Sequence, residues 1–307
     1  VIVVGLDGLC PQRCGRMMDE GLLPNLDALR REGCFMPLET TTPPISPVAW
    51  SSFQTGTNPG RHNIFDFLTP DRRTYLPLLS SARIGNPRRT LKLGKYRIPL
   101  SGPELRLLRK SKPFWTVLGE NMVFSTVLRV PISFPPERFY GLSLSAMCAP
   151  DLRGTQGTFT YFTDAPDAAD IYAGGVVAAV EREGDTIKAE LEGPPNTMVD
   201  GAGPMKVPLS IEPNGASAHI KIGDQRIELK EKESSGWVKV TFSAGVGVKV
   251  SGLVRLYLKS LRDPFGLYVS PINIDPDAPA LPISHPAYYS SYLAKKLGPF
   301  ALSLIHI

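Results

Sequence analysis

Closely spaced prolines fix the backbone that leads to Ser46. The run Thr-Thr-Thr-Pro-Pro at residues 40–44 cannot be helical, because each proline restricts the residue before it to extended geometry. Pro47 suits the first turn of a helix, and residues 48–55 contain no helix breaker before Gly56. The sequence therefore predicts an extended approach to Ser46, followed by a short helix with Ser46 as its N-cap.

Ser46 has two interpretations at the start of this helix. Its hydroxyl can simply accept a hydrogen bond from the first turn, which is the ordinary role of an N-cap serine. Alternatively, the helix N-terminus directs several unpaired N–H groups and the positive end of its dipole at a phosphate. A hydroxyl that lost its proton to a metal ion or a base could then attack phosphorus. The residues by themselves leave both interpretations open.

The chain begins with an apolar run that ends on an acid. Val-Ile-Val-Val-Gly-Leu at residues 1–6 is typical of a strand buried on both faces of a parallel sheet. Asp7 and Gly8 follow it directly. Because ligands gather beyond the carboxyl ends of strands in open α/β sheets, Asp7 is a candidate site residue. The alternative is that Asp7 only forms a turn or caps a helix.

Apolar periodicity predicts further elements in the first and last parts of the chain. The predicted helices cover residues 11–33 with a break at Pro24-Asn25, 112–119 and 286–297, and the predicted strands cover 34–38, 122–130, 142–147 and 267–269. Residues 83–112 show little periodicity and hold ten Lys or Arg against one acid, Glu104. This segment is interpreted either as a solvated loop or as a lid whose positive field attracts an anionic substrate.

The pattern of apolar and polar residues changes near residue 169. From there to residue 262, apolar and polar residues alternate in several short segments, which is the period of half-exposed antiparallel strands. Gly184-Asp185 and Gly223-Asp224 supply hairpin turns between them. We therefore expect residues 1–168 to form the first part of an α/β core, 169–262 an inserted β-rich subdomain, and 263–301 a return to the core. Residues 302–307 are expected to be a non-native tail.

The opening motifs resemble a known superfamily in order and spacing over residues 1–67. The motifs are Gly-Leu-Asp-Gly at 5–8, Pro-Ile-Ser-Pro at 44–47 and Thr-Gly-Thr-Asn-Pro-Gly-Arg-His at 55–62. Together they resemble the alkaline phosphatase superfamily, and within it the type I phosphodiesterase and nucleotide pyrophosphatase branch. The resemblance implies an α/β fold with a three-layer αβα core, a mostly parallel sheet and room for an inserted antiparallel β subdomain.

The resemblance also implies a chemistry for two of these residues. It makes Asp7 a ligand of one of two divalent metal ions, with zinc expected and manganese as the alternative. It makes Ser46 both the nucleophile and a ligand of the same ion. The implied reaction is hydrolysis of a phosphodiester or nucleotide-type pyrophosphate through a phosphoryl- or nucleotidyl-enzyme. Position 49 is Ala, whereas nucleotide pyrophosphatases carry an Asn there, and this weakens any assignment of nucleotide specificity.

The metal ligands are incomplete by the standard of that resemblance. It implies an Asp with a downstream His, a separate Asp-His pair and a last His, and no Asp-His dipeptide occurs in the 307 residues. We therefore expect this chain to be the amino-terminal part of a phosphohydrolase that is inactive as given. The alternatives are a non-catalytic binding protein that kept the fold, and a superfamily member that transfers phosphoryl groups or cleaves sulfate esters.

Three polar residues follow the predicted strands that end near positions 130 and 147. Arg129, Arg153 and Gln156 could bind substrate oxygens, since arginine offers paired N–H donors, or could be ordinary loop residues. His62, Asp66 and His285 are expected to be structural.

Composition narrows the partners without identifying them. The chain is 42% hydrophobic and 21% charged, which is ordinary globular composition, and no apolar run approaches a membrane span. A net charge of +5 is too small to indicate a nucleic-acid polymer, so a small-molecule phosphoester is the expected partner. The four cysteines lack the spacing of a structural zinc site.

The chain starts on Val, a preceding signal peptide would be invisible, and periplasmic, secreted and cytoplasmic locations all stay open.

Overall fold

A computed structural model describes residues 1–166, 174–245, 247–262 and 264–302. The fold is α/β with mixed sheets. The chain divides into two compact units, of which unit 1 comprises residues 1–81 with 108–117 and unit 2 comprises residues 82–107 with 118–307. The helices are α1 (Pro11–Asp19), α2 (Pro24–Glu32), α3 (Ser46–Thr55), α4 (Pro59–His62), α5 (Phe114–Glu120) and α6 (Tyr289–Leu297).

Unit 1 begins with two short helices that an ion-pair network joins. Both α1 and α2 start with proline in the first turn, where the missing N–H costs nothing. Arg30 on α2 binds Asp27 one turn earlier at 2.5 Å and Asp19 on α1 at 2.9 Å. The predicted pair of helices is confirmed, but the break lies at residues 20–23 and Pro24-Asn25 begin the second helix. Strands β1 (Leu68–Pro70) and β2 (Pro77–Leu79) form an antiparallel pair later in the unit.

Two predicted strands of unit 1 are wrong in the described structure. Residues 1–6 are not a strand, and Val1 to Val4 are all at least 62% exposed. Residues 34–38 are likewise irregular, with Met36 and Leu38 exposed. A strand forms only when a neighbouring strand accepts and donates its ladder hydrogen bonds, and no described residue pairs with either segment. The apolar composition indicates a tendency to form a strand, but it does not identify a neighbouring strand with which these segments could pair.

The predicted loop over residues 83–112 is also wrong for most of its length. Strand β3 (Ala82–Gly85) pairs with β6 (Glu104–Leu107), and between them β4 (Thr90–Leu93) pairs with β5 (Tyr96–Pro99), all antiparallel. The β4–β5 turn is at Gly94, which has the left-handed φ of +57° that a side chain would disfavour. The high charge of the segment masked a short alternation of apolar and polar residues.

The expected mostly parallel sheet is replaced by two mixed sheets in unit 2. In the first, β7 (Ser125–Leu128) and β8 (Gly141–Leu144) are parallel, and β21 (Ser284–His285) joins β8 antiparallel. In the second, β9 (Phe159–Thr163) is parallel to β10 (Gly175–Ala179) and antiparallel to β19 (Gly266–Val269), which pairs with β18 (Leu256–Ser260). The strands predicted at 122–130, 142–147 and 267–269 and the helices predicted at 112–119 and 286–297 are confirmed with bounds that differ by a few residues.

The alternating segments form antiparallel strands as predicted. One sheet has the order β11 (Glu181–Glu183), β12 (Thr186–Pro195), β13 (Pro204–Asn214), β14 (Ser217–Ile222) and β15 (Gln225–Lys230). Both predicted turns, at Gly184 and Gly223, connect adjacent strands of this sheet. A further sheet has the order β16 (Val238–Gly245), β17 (Val248–Val254) and β20 (Asn273–Ile274).

The inward faces of these strands share one hydrophobic core. Fully buried members include Phe162, Ile211, Phe242, Val254 and Leu267. Strands β9 and β19 thus contribute to the same core as the antiparallel strands between them. The expected domain boundary at 168/169 lies outside the described residues, as does Asp263 at the expected return to the core. Of the expected tail at 302–307, only Leu302 is described, and it is buried.

Candidate functional site

Helix α3 carries Ser46 at its first helical position. The N-cap is Ile45, whose backbone is extended with φ −120° and ψ 150°, so the prediction that Ser46 is the N-cap is wrong by one residue. The helix ends at Gly56, which has a left-handed φ of 61° and donates its N–H to the Ser52 carbonyl. Pro47, Val48, Ser51 and Gln54 are buried, and Ser46 itself is partly exposed at the helix end.

Ser46 and Asp7 meet although 39 residues separate them in the chain. The Ser46 Oγ donates a hydrogen bond to Asp7 Oδ1 at 3.0 Å. Asp7 is exposed and is followed by Gly8, whose φ of +71° turns the chain. The structure therefore brings together the carboxylate and the hydroxyl that the sequence proposed for one site.

A second contact holds the segment before Asp7 against the same helix. The backbone of Gly5 lies so close to Trp50 that a Cβ atom there would be 2.3 Å from the indole Cη2. Trp50 is four residues after Ser46, so both side chains lie on one face of α3. Sequence reasoning missed this contact, although a glycine within an apolar run is a signal of close backbone approach.

The helix N-terminus offers fewer donors than the sequence suggested. Pro47 has no N–H, and the N–H groups of Val48 and Ala49 both donate to the Ile45 carbonyl, at 3.1 and 3.0 Å. Among the first-turn amides, only the Ser46 N–H has no acceptor within the described residues. The expectation of several unpaired N–H groups at this terminus is therefore wrong.

Asp7 and Ser46 fit part of a divalent metal site. A carboxylate and a hydroxyl 3.0 Å apart at the surface are oxygen donors that a divalent ion can share. Within residues 1–166, 174–245, 247–262 and 264–302, however, no group of three or more His, Cys, Asp or Glu side chains is arranged to hold a metal. The pair can supply two donors, and a complete coordination shell needs others.

His62 is buried beside α3 rather than directed to this pair. Its Nδ1 accepts the Ile64 N–H at 3.2 Å, so the proton is on Nε2, which donates to Ser52 Oγ at 2.9 Å. The His62 carbonyl accepts the Lys110 N–H at 2.9 Å. Burial, and next the charge of Arg109, lowers the pKa of His62 below its ordinary value of 6.5. His62 is therefore neutral, and its hydrogen bond to Ser52 helps to hold α3 in place.

We expect this ring to make unit 1 acid-sensitive. The folded pKa is lower than the unfolded one, so the unfolded chain binds the proton more readily. Stability should fall once the pH drops below about 6.5, by at most about 1.4 kcal/mol per pH unit, until the pH passes the folded pKa. Guanidinium unfolding at pH 7.5 and 5.5 measures this. His62→Gln, which cannot titrate, should show a smaller pH dependence, and an equal dependence in both proteins would contradict the assignment.

Arg129 lies in unit 2 at the carboxyl end of β7. Its backbone has a left-handed φ of 56°, and its N–H donates to the Leu144 carbonyl on the parallel strand β8 at 2.9 Å. The guanidinium Nε is buried with no partner among the described residues, and its Nη2 lies 3.4 Å from the Leu302 carbonyl. Burial lowers the pKa of Arg129. A partly buried cation with no carboxylate partner in the described chain is suited to an anionic ligand.

Arg153 and Gln156 share a loop that Asp151 organises. The buried Asp151 carboxylate accepts the N–H groups of Thr155 at 2.8 Å and Gly157 at 3.3 Å and also binds the Thr155 hydroxyl. Arg153 is paired with Glu192 on β12 at 3.3 Å, and Gln156 is exposed. Asp7 and Ser46 belong to unit 1, whereas Arg129, Arg153 and Gln156 belong to unit 2.

Comparison with known proteins gives one family match. A family model described as type I phosphodiesterase / nucleotide pyrophosphatase matches residues 1–186, more than half of the chain. All five sequence-predicted site residues lie within the matched segment. No curated protein and no solved structure gives a significant match. In the described part of the chain, no helix has both the length and the apolar character needed to cross a bilayer.

Proposed function

Because the chain belongs to the type I phosphodiesterase / nucleotide pyrophosphatase family, we propose that it carries the nucleophile of a metal-dependent phosphodiesterase or nucleotide pyrophosphatase. The family is one of phosphoric ester hydrolases that act on small phosphoesters and generally depend on divalent metals. The finer assignment rests on one observation, the 3.0 Å hydrogen bond from Ser46 Oγ to Asp7 Oδ1.

Ser46 is the group that attacks phosphorus in this proposal. Its Oγ forms a bond to phosphorus while the bond from phosphorus to the leaving alcohol breaks, and the hydroxyl proton passes to solvent water. Asp7 orients the hydroxyl, and the Ser46 N–H is placed to bind a phosphoryl oxygen. A divalent ion bound by both side chains, zinc or manganese, would lower the pKa of the hydroxyl and neutralise the phosphoryl charge. Water then cleaves the bond from Ser46 to phosphorus.

The residues of unit 2 are assigned to substrate oxygens. Arg129 is the strongest of them, because its partly buried guanidinium has no carboxylate partner among the described residues. Arg153 would have to exchange its bond with Glu192, and Gln156 is exposed and available. Ala49 offers no amide to a phosphoryl group, so the proposal extends to phosphodiesters in general rather than to nucleotides.

A specific architecture accompanies this function. We propose that residues 1–168 and 263–301 contribute to a three-layer αβα catalytic core and that 169–262 is an insertion. In such a core, residues 1–6 would gain strand neighbours, and Asp7 would lie at the carboxyl end of the resulting strand. The strong β-branched character of 1–6 and its present exposure both support this assignment.

The chain as printed is proposed to be inactive, and this gives the test. Two divalent ions need more ligands than Asp7 and Ser46, and the described residues hold no further metal cluster. We expect the 307-residue chain to hydrolyse bis(p-nitrophenyl) phosphate no faster than buffer with zinc or manganese. A longer polypeptide that adds the missing Asp and His ligands should turn over, lose activity in EDTA and regain it with either metal. Turnover by the 307-residue chain in EDTA would contradict the proposal, and a metal-replete long form that binds phosphodiesters without cleaving them would favour a binding protein.

A further inference from the structure

The β4–β5 hairpin of unit 2 has one polar and one apolar face. In its register, Leu91 is opposite Ile98 and Leu93 is opposite Tyr96, whereas Lys92 is opposite Arg97. Because side chains alternate between the two faces of a strand, the first four lie together on one face. The hairpin is therefore amphipathic.

The polar face is attached to the rest of unit 2. Lys92 Nζ lies 2.8 Å from Asp200, and Arg97 pairs with the same carboxylate. The backbone adds two bonds, from the Arg97 N–H to the Met198 carbonyl and from the Asp200 N–H to the Lys95 carbonyl, each 2.8 Å. These contacts fix the orientation of the hairpin, so its apolar face is held in a defined position.

The apolar face is left in contact with water. Leu91 is 45% exposed and Leu93 is 54% exposed, and Leu100 just after β5 is 62% exposed. Lys95 at the turn places its ammonium 5.6 Å from the centre of the Tyr96 ring, which brings a cation to the rim of this face. Exposed leucines beside a lysine are costly in water and match a surface with an apolar interior and an anionic rim.

The surrounding residues make this region strongly positive. Residues 82–107 hold seven Lys or Arg against the single acid Glu104, a balance of +6 compared with +5 for the whole chain. Glu104 is already paired with Arg88 at 2.5 Å. Arg83 and Arg106 are directly opposite each other on β3 and β6, and the acid whose charge Arg106 feels is Glu104, which Arg88 already binds. Like charges opposite each other are unfavourable unless an anion lies between or near them.

We propose that the 82–107 segment binds the surface of an anionic lipid bilayer, with Leu91 and Leu93 in the headgroup boundary and the unpaired cations on acidic headgroups. Each Lys or Arg near such a surface adds attraction, and buried leucine adds apolar burial. A nucleic-acid polymer would bind to the same cations, but its bases stack on aromatic side chains. The exposed leucines would therefore add nothing to its binding. The proposal goes beyond the catalytic function and does not depend on it.

Vesicle co-sedimentation of the 307-residue chain tests the proposal. We expect binding to vesicles of phosphatidylcholine with phosphatidylserine and far less to phosphatidylcholine alone, with binding that weakens as salt increases. Leu91→Asp combined with Leu93→Asp should reduce the affinity by at least about tenfold. Lys95→Glu should reduce it by at least about fivefold.

Matched variants separate this surface from general charge and hydrophobicity. Leu297 is an exposed leucine on α6 and Lys249 an exposed lysine on β17, so Leu297→Asp and Lys249→Glu should leave binding within about twofold of the parent. Circular dichroism checks that each variant is folded. Equal binding to neutral and anionic vesicles would overturn the proposal, and so would an equal loss of binding in the control variants. Binding to single-stranded polynucleotide without binding to vesicles would also overturn it.

Discussion

Replacing Ser46 with alanine should lower phosphodiester hydrolysis by the metal-complete polypeptide roughly 10³- to 10⁵-fold, because the group that bonds to phosphorus is removed. Binding of the substrate should change little, since the hydroxyl contributes mainly to the transition state. The Ser46 Oγ is exposed enough to meet a ligand and is already oriented by Asp7 at 3.0 Å. Single-turnover rates with a p-nitrophenyl diester measure the loss directly.

Conservative variants distinguish a nucleophile from a structural serine. Ser46→Thr keeps a hydroxyl and should retain far more activity than Ser46→Ala. Asp7→Asn keeps the hydrogen-bond acceptor but loses the charge, so it should weaken metal binding, and raise the metal concentration needed for activity, more than it alters folding. Asp71→Asn, at a partly exposed turn aspartate that also accepts a hydrogen bond, is its control and should behave like the parent protein. Full activity in a folded Ser46→Ala protein would refute the assignment.

Phe242→Ala should lower the free energy of unfolding of unit 2 by about 3–5 kcal/mol. The Phe242 side chain is fully buried in the core shared by the antiparallel strands. Its ring lies against Gly193 on β12, where a Cβ atom would be 2.3 Å from the ring. Removing the ring therefore leaves a cavity on a rigid backbone that cannot easily collapse. Guanidinium unfolding followed by circular dichroism is the measurement.

A more exposed aromatic residue on a strand of another sheet in unit 2 provides the comparison for Phe242. Tyr257 on β18 is 36% exposed, and Tyr257→Ala should cost less than about 1.5 kcal/mol. Losses of equal size in the two variants would mean that Phe242 is not a central core residue.

Local rules account for the parts of the fold whose hydrogen bonds are local. The helix after Pro47 and the hairpin turns at Gly184 and Gly223 depend on residues next to them in sequence, and all three are present. Segment 1–6 shows the opposite case. Its composition favours a strand, but a strand also needs a partner, and partners are not encoded in the segment itself.

The candidate site was predictable in its residues and not in its detail. The order of the motifs predicted that Asp7 and Ser46 belong to one site, and the 3.0 Å hydrogen bond between them agrees with this prediction. The one-residue shift of the helix start could not be read from sequence, since N-cap preference favours Ser46 over Ile45 and only the backbone angles of Ile45 show otherwise. The Gly5–Trp50 contact needed the fold, because it joins residues 45 positions apart.

The central claim is that Asp7 and Ser46 share one divalent cation at the point of phosphoryl attack. Anomalous diffraction from manganese in crystals of the metal-complete polypeptide tests it most directly. We expect an anomalous peak within about 2.0–2.4 Å of both an Asp7 carboxylate oxygen and Ser46 Oγ. A peak bound by other residues, with Asp7 and Ser46 both outside its coordination shell, would contradict it.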